Sequence, residues 1–193
     1  METDEKILLH LLKDVSKQMT ITGLAQQMDI SRVGAWKSLR KLETQRYIEL
    51  IPLGAGKTSA MMPKINWQSE LTPKALSLYL AKEAMPYERW RNYFKKVEDH
   101  AEFLVLFGSM LHSPKEARDV DVLVVAKKGN IAVISRLFHD IQKMQAKKIH
   151  YLTFTEQEFR NELHKPNKAF IDAIKKGAVL SGEDRFIRFM RRL

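Results

Sequence analysis

The sequence has no cysteine among its 193 residues. Disulfide bridges and thiolate metal sites are therefore excluded, and a reducing cytoplasm is compatible with the chain. The sequence also lacks an apolar run of about 18 residues, the length that a membrane-spanning helix needs. Residues 1–10, METDEKILLH, have neither the basic start nor the apolar stretch of a signal peptide. We therefore expect a cytoplasmic protein without a membrane partner.

The composition is typical of a folded protein with an anionic partner. Hydrophobic residues make up 45% and charged residues 29%, as in soluble globular domains rather than disordered segments. The net charge is +10, and the excess is spread along the chain. Residues 1–85 hold 12 Lys and Arg against 9 Asp and Glu, and residues 86–193 hold 21 against 14. A basic excess in both halves favours nucleic acid or nucleotide phosphates as partners, although basic surfaces also serve solubility.

The first half of the chain has the pattern of helices followed by a hairpin. Apolar residues recur at helical spacing, and Ser31 is a good N-cap for the third helix. The inward face of that helix is formed by Ala35, Leu39 and Leu42. The predicted elements, in order, are helices over 7–15, 22–28 and 31–45 and strands over 47–52 and 60–67.

The segment LAQQMDISRVGAWKSLRKLETQRYIEL, residues 24–50, resembles the core of a winged helix-turn-helix domain. The resemblance extends over about residues 3–67. In such folds the third helix enters the major groove of DNA and the wing touches the backbone. The resemblance therefore implies DNA as a partner, with contacts from Arg32, Trp36, Lys37 and Arg40. Two alternatives stay open: the helix packs against another protein, or Trp36 covers the core.

The segment LGAGKTSA, residues 53–60, looks like the end of a phosphate-binding P-loop. That loop needs a glycine five residues before its Gly-Lys pair, and Ile51 occupies this position. It also needs a helix to follow, whereas the residues after 60 favour a strand. We interpret the segment as the tip of the wing, with Lys57 as a contact to phosphate.

The second half alternates strand and helix. A linker helix ends at Met85-Pro86. A further helix is expected over 87–97, and its aromatic stripe at helical spacing predicts either core or a dimer seam. We place the domain boundary near residue 85, which divides the chain into 1–85 and 86–193. The expected elements beyond it are strands over 102–107, 120–126 and 149–154, a helix over 131–144, two further helices, a short apolar AVL segment and a basic amphipathic tail.

The segment FGSMLHSPKEARDVDVLVV, residues 107–125, carries the strongest chemical signal. Asp119 and Asp121 point to the same face of a strand, and their spacing suits Mg²⁺ or Mn²⁺. Gly108 lets the backbone approach a phosphate, and Ser109 adds a hydroxyl. These residues together indicate a site for a metal ion and a nucleoside triphosphate. The alternative is an exposed strand start capped by Arg118 beside an ordinary Gly-Ser turn.

This segment resembles the signature of the DNA polymerase β-type nucleotidyltransferases. Their pattern is a hydrophobic residue, Gly-Ser, nine to thirteen residues, then two aspartates separated by a hydrophobic residue. The resemblance covers about residues 100–184. It implies that Mg²⁺ or Mn²⁺ binds Asp119 and Asp121 and that a nucleoside monophosphate moves from a triphosphate to an acceptor hydroxyl. The nucleotide-binding residues that we predict are Gly108, Ser109 and Arg118.

One position departs from that family. A third carboxylate is expected on a later strand, but the strand reads KKIHYLTFT, with His150 at the expected place. His150 is therefore either a metal ligand, a catalytic base or the mark of a lost activity. We include it with Asp119 and Asp121 as the predicted catalytic residues.

The sequence thus predicts a mixed α+β protein with two domains, a winged helix-turn-helix and a nucleotidyltransferase fold built on a small mixed sheet flanked by helices. Three functions compete. The first is a DNA-binding nucleotidyltransferase. The second is a transcription regulator whose impaired nucleotidyltransferase-like domain senses a nucleotide or forms a homodimer. The third is a DNA-binding scaffold with a degenerate second domain.

Overall fold

The chain is a mixed α+β protein that divides into two compact units. The computed structural model describes residues 1–15, 19–55 and 60–193. The units are Met1–Tyr79 and Leu80–Leu193, so the division falls a few residues before the expected boundary near 85. Across these described ranges, we find no helix with the length and apolar character that crossing a membrane requires.

The first unit follows the predicted order of elements. Thr20 and Ser31 cap two of its helices, because their hydroxyls accept hydrogen bonds from Gly23 N at 3.1 Å and Gly34 N at 3.0 Å. The capping role predicted for Ser31 is confirmed. The described elements are α1 (Thr3–Lys13), α2 (Ile21–Gln27), α3 (Arg32–Thr44), β1 (Ile48–Pro52) and β2 (Met61–Ile65), followed by α4 (Leu71–Ala84), which contains the division.

The core of the first unit lies between its helices and its antiparallel hairpin. The predicted inward face of α3 is confirmed, since Ala35, Leu39 and Leu42 are completely buried. Other fully or almost fully buried apolar side chains of this unit include Ile7, Leu8, Leu24 and Ile48. Burying one face of α3 in this way leaves its opposite face to solvent.

The second unit is built on a four-stranded mixed sheet with the order β5-β4-β3-β6. The β4–β5 pair is parallel and is joined through α7, whereas β3 pairs antiparallel with both β4 and β6. The elements are α5 (Glu88–Tyr93), α6 (Lys95–Glu98), β3 (Ala101–Phe107), β4 (Asp119–Ala126), α7 (Ile131–Lys143), β5 (Lys148–Phe154), α8 (Glu156–His164), α9 (Lys168–Lys176), β6 (Ala178–Ser181) and α10 (Glu183–Arg191).

The aromatic stripe predicted over 87–97 belongs to the core of this unit. Trp90, Phe94 and Val97 are buried in one apolar cluster with the even-numbered valines of β4. The stripe does not lie on one continuous helix, because the backbone of Phe94 leaves helical geometry and separates α5 from α6. The core interpretation therefore holds, and the single helix expected there was wrong.

The opposite face of the sheet packs against the last helices of the chain. The ring of Phe103 on β3 lies 5.3–5.8 Å from the rings of Phe159, Phe186 and Phe189. Alternation along β4 places Asp119 and Asp121 on this same face. They stand at the start of the strand, where neither carboxylate is fully covered. The fold therefore presents the two aspartates at the partly open end of an interior strand of the sheet.

Candidate functional site

Strand register places His150 beside the two aspartates. In the parallel β4–β5 ladder Asp121 pairs with His150, and Asp119 pairs with Lys148. Paired residues in a ladder project from the same face, so one polar surface forms from two strands that are separated in sequence by α7. The sequence predicted both the shared face of the aspartates and the position of His150. The pairing of His150 with Asp121 was not predicted and follows from the parallel register of β4 and β5.

The three side chains form one compact group. His150 Nδ1 lies 3.6 Å from Asp119 Oδ2 and 3.5 Å from Asp121 Oδ1. One ligand atom from each of the three residues lies within 4.8 Å of the other two. Within residues 1–15, 19–55 and 60–193, this is the one group of three such side chains that can hold a metal ion. The donors are two hard oxygens and one imidazole nitrogen, a set that fits a divalent cation.

The electrostatics of the group favour a bound cation. Burial, followed by the charge of Asp119, raises the pKa of the Asp121 carboxyl, and the adjacent His150 partly offsets this effect. The side chain of Asp121 is only 24% exposed, against 37% for Asp119 and 46% for His150. Two carboxylates held this close repel each other when both are ionised. A divalent cation between them removes that repulsion.

Gly108 is fitted against Asp121. Phe107 pairs with Asp121 in the antiparallel β3–β4 ladder, so the chain leaves β3 directly beside this carboxylate. Gly108 then has a positive φ of 79°, and a Cβ built there would overlap Asp121 Oδ2. A side chain at this position would be both strained and in collision with the carboxylate. Glycine is therefore required here for the geometry of the group.

The loop between Gly108 and β4 is held by its own backbone and by two side chains. A short 3-10 turn runs over Gly108–Leu111, and Ser113 N donates to Ser109 O at 2.9 Å. The Tyr87 hydroxyl donates to Leu111 O at 3.1 Å. Lys147 Nζ donates to Ala117 O, which ties the end of the loop to the residue preceding β5. The predicted nucleotide-binding residues Gly108, Ser109 and Arg118 are all exposed on this loop.

Sequence reasoning missed Lys148. It pairs with Asp119, is exposed, and projects from the same face as His150, two residues further along β5. The alternation in KKIHYLTF would have found it once His150 had been assigned to the site. The carboxylate next after the strand, Glu156, lies outside the group and is 3.6 Å from Arg192 instead.

The outer face of α3 carries the residues predicted for DNA contact. Arg32, Trp36, Lys37 and Arg40 are all exposed, on the side opposite the buried face of the helix. Trp36 is 39% exposed and therefore does not fill the core. The guanidinium of Arg40 lies 5.1 Å from the centre of the Trp36 ring, an arrangement in which cation and aromatic ring attract each other. Lys57 lies outside the residues that the structure describes.

Intramolecular ion pairs engage two cations of α3. Arg40 is 2.5 Å from Glu43, so it would have to exchange this partner for a phosphate or a base. Lys41 lies 2.7 Å from Asp4 and 3.1 Å from Glu2, and hydrogen bonds to these carboxylates raise the pKa of Lys41. Lys41 therefore helps to join α1 and α3.

Val33 is a second residue that sequence reasoning missed. It lies in the first turn of α3 and is 65% exposed. Its spacing from Ala35, Leu39 and Leu42 places it away from the buried face, so helical periodicity carried a signal for its exposure. An exposed apolar side chain beside exposed arginine and lysine residues suits contact with a thymine methyl group.

No protein-family model matches this chain, and no curated protein is similar to it at a significant level. What can be said of its function therefore comes from the two surfaces described above.

Proposed function

We propose that this chain is a DNA-binding protein whose second unit binds a metal–nucleoside triphosphate complex and transfers a nucleoside monophosphate to an acceptor hydroxyl. The first unit would be a winged helix-turn-helix domain and the second a nucleotidyltransferase fold. The observation that carries the proposal is the compact Asp119, Asp121 and His150 group with Gly108 fitted against it.

The roles of the residues follow from their positions. Asp119 and Asp121 would hold the metal ion, which when bound neutralises phosphate charge and lowers the barrier to displacement of pyrophosphate. Gly108 leaves the backbone open to the triphosphate, and the exposed Ser109 hydroxyl can donate to a phosphate oxygen. Arg118 precedes Asp119 in the sequence, and Lys148 pairs with Asp119 in the β4–β5 ladder. Both would supply further positive charge.

In the transfer itself the acceptor hydroxyl oxygen forms a bond to the α-phosphorus. The bond from that phosphorus to the bridging oxygen breaks, and pyrophosphate leaves with the electron pair. The proton of the acceptor hydroxyl must pass to a base or to water. The position of His150 Nδ1, at 3.5–3.6 Å from both carboxylates, favours His150 as a metal ligand rather than as that base.

The DNA-binding part of the proposal rests on the outer face of α3. Four exposed residues on one side of a capped helix, three of them cationic, fit a helix that enters the major groove. The β1–β2 hairpin that follows fits a wing that would meet the DNA backbone. The cytoplasm, where DNA and nucleoside triphosphates both occur, is the proposed location.

A second candidate function is favoured by one observation. His150 stands where the family pattern expects a third carboxylate, whereas Gly108, Ser109 and both aspartates match that pattern. A regulator that binds a nucleotide without turning it over, or that uses the second unit to form a homodimer, would tolerate this change.

One experiment distinguishes the two candidates. The full chain is incubated with each labelled nucleoside triphosphate and Mg²⁺ or Mn²⁺, and pyrophosphate release and label on protein or nucleic acid are measured. Transfer predicts release that Asp119→Asn abolishes. The regulator predicts metal-dependent nucleotide binding without release. Absence of both binding and release would contradict transfer and the nucleotide-binding regulator, and would leave a homodimer-forming regulator or the degenerate scaffold.

A further inference from the structure

His150 is the residue that makes this metal group unusual. A site for Mg²⁺ is normally built from carboxylates, phosphate oxygens and water, because this small hard ion prefers oxygen. Here one of the three side-chain donors is an imidazole nitrogen, held beside both carboxylates by the β4–β5 register. Imidazole suits first-row transition metals, and carboxylate also suits Mn²⁺.

The distances fit a single ion with mixed ligands. Ligand atoms bound to one ion at about 2.0–2.2 Å are separated from each other by roughly 3.0–3.5 Å. His150 Nδ1 is 3.5 Å from Asp121 Oδ1 and 3.6 Å from Asp119 Oδ2. The ligand atoms of all three residues lie within 4.8 Å of one another, so inward movement of the side chains can bring the nitrogen and both oxygens to the same ion. Side chains that are 24–46% exposed have room for such a movement.

We propose that His150 gives this site a preference for a first-row transition metal ion, with Mn²⁺ as the probe, over Mg²⁺. The inference rests on the proposed metal-dependent function of the same site and names the class of metal that this function uses. On this proposal His150 is not the mark of a lost activity. It replaces a carboxylate ligand by an imidazole ligand. It also explains how a site without a third carboxylate keeps three side-chain donors.

The test measures metal selectivity without any catalytic step. Metal-free full chain is loaded with Mn²⁺, free Mn²⁺ is counted by electron paramagnetic resonance, and the Mg²⁺ concentration that displaces half of the bound Mn²⁺ is determined. The variants are His150→Asp, which restores an all-oxygen site, and His139→Asp. His139 is an exposed histidine on α7 outside the three-residue group, so its variant makes the same change of charge elsewhere.

The expected result is a change in selectivity confined to one variant. Loss of a residue that merely supports a metal ligand changes metal affinity by about 10–100-fold, so replacing a ligand should have at least this effect. His150→Asp should need at least about tenfold less Mg²⁺ to displace Mn²⁺ than the parent, whereas His139→Asp should behave like the parent. Pulsed spectra of bound Mn²⁺ should show coupling to an imidazole nitrogen in the parent and in His139→Asp, and not in His150→Asp.

Three results would overturn the inference. These are equal displacement by Mg²⁺ in parent and His150→Asp, absence of nitrogen coupling in the parent, and absence of any Mn²⁺ binding. A separate titration with a nucleoside triphosphate in Mg²⁺ decides the proposed function independently. Nucleotide binding in Mg²⁺ together with unchanged selectivity would reject the metal preference and keep the function. Selective Mn²⁺ binding without nucleotide binding would keep the metal preference and reject the proposed function.

Discussion

Gly108 is the residue on which the shape of the site depends most directly. Its φ of 79° and its fit against Asp121 Oδ2 leave no room for a side chain. Gly108→Ala should cost about 1–2 kcal/mol for the left-handed backbone alone. It should also displace the Asp121 carboxylate and weaken Mn²⁺ binding. Thermal melts and metal titrations measure the two effects.

Gly129→Ala is the matched control for that change. A Cβ at Gly129 would meet nothing within 4 Å, so this variant should keep both the stability and the metal affinity of the parent. If Gly108→Ala bound Mn²⁺ as tightly as Gly129→Ala does, the proposed coupling between this glycine and Asp121 would be wrong.

Asp121 should reduce the stability of the metal-free protein. Burial and Asp119 raise its folded-state pKa, so the folded state holds this proton more tightly than the unfolded state does. This tighter proton binding stabilises the folded state fully below the ordinary pKa of an aspartate, and the stabilisation is lost as the pH rises through the raised pKa of Asp121. At neutral pH the ionised carboxylate therefore opposes folding.

Asp121→Asn should accordingly raise the free energy of unfolding of the metal-free protein at neutral pH by about 0.5 kcal/mol or more. Its melting temperature should rise as a result. The same variant should lose Mn²⁺ affinity. Melts in chelator at pH 7.5 test this stability effect, and a lower melting temperature than the parent would show that Asp121 stabilises the fold instead. Asp119→Asn, at the more exposed carboxylate, serves for comparison.

At the scale of elements, α3 should determine DNA affinity. Each phosphate contact contributes about 0.9 to the slope of log affinity against log salt. The double variant Arg32→Ala with Lys37→Ala should therefore bind duplex more weakly and with a slope smaller by roughly 1.8 if both residues meet phosphates. Binding measured at several salt concentrations gives this slope directly.

Lys127→Ala with Lys128→Ala removes the same charge from two exposed lysines of the second unit and is the control. Its DNA affinity should stay close to that of the parent. An affinity for duplex that does not depend on salt, or equal losses in both double variants, would remove α3 from the proposed interface.

The elements also show how far the sequence predicts this structure. Periodicity and capping located α3 and its buried face, because Ser31 and three apolar residues at helical spacing leave one arrangement that satisfies both. The break at Phe94 was not predictable from spacing, since a helical stripe looks the same whether or not its backbone is continuous.

The candidate site was predictable in its residues but not in its register. Alternation along one strand places Asp119 and Asp121 on one face without reference to the rest of the chain. The pairing of His150 with Asp121, and of Lys148 with Asp119, depends on a parallel ladder closed through α7. Such pairing is set by packing between distant segments, so the pairing of Lys148 with Asp119 and the fit of Gly108 against Asp121 required the three-dimensional structure.

At the scale of the whole molecule, the chain divides into two compact units, so the activities proposed for them should be separable. Asp119→Asn should weaken metal-dependent nucleotide binding by at least about tenfold and leave DNA affinity unchanged. Arg32→Ala with Lys37→Ala should weaken DNA binding and leave metal-dependent nucleotide binding unchanged. Both proteins should melt close to the parent, because all three side chains are partly or fully exposed. Loss of both activities in either variant would show that the surfaces are coupled.

The central claim is that Asp119 and Asp121 hold a metal ion that binds a nucleoside triphosphate, and calorimetry of the full chain tests it most directly. The account predicts that at least one nucleoside triphosphate binds in Mn²⁺ or Mg²⁺, that chelator removes this binding, and that Asp119→Asn reduces it by at least about tenfold. The parent failing to bind any nucleoside triphosphate in either metal, or Asp119→Asn binding as tightly as the parent, would contradict it.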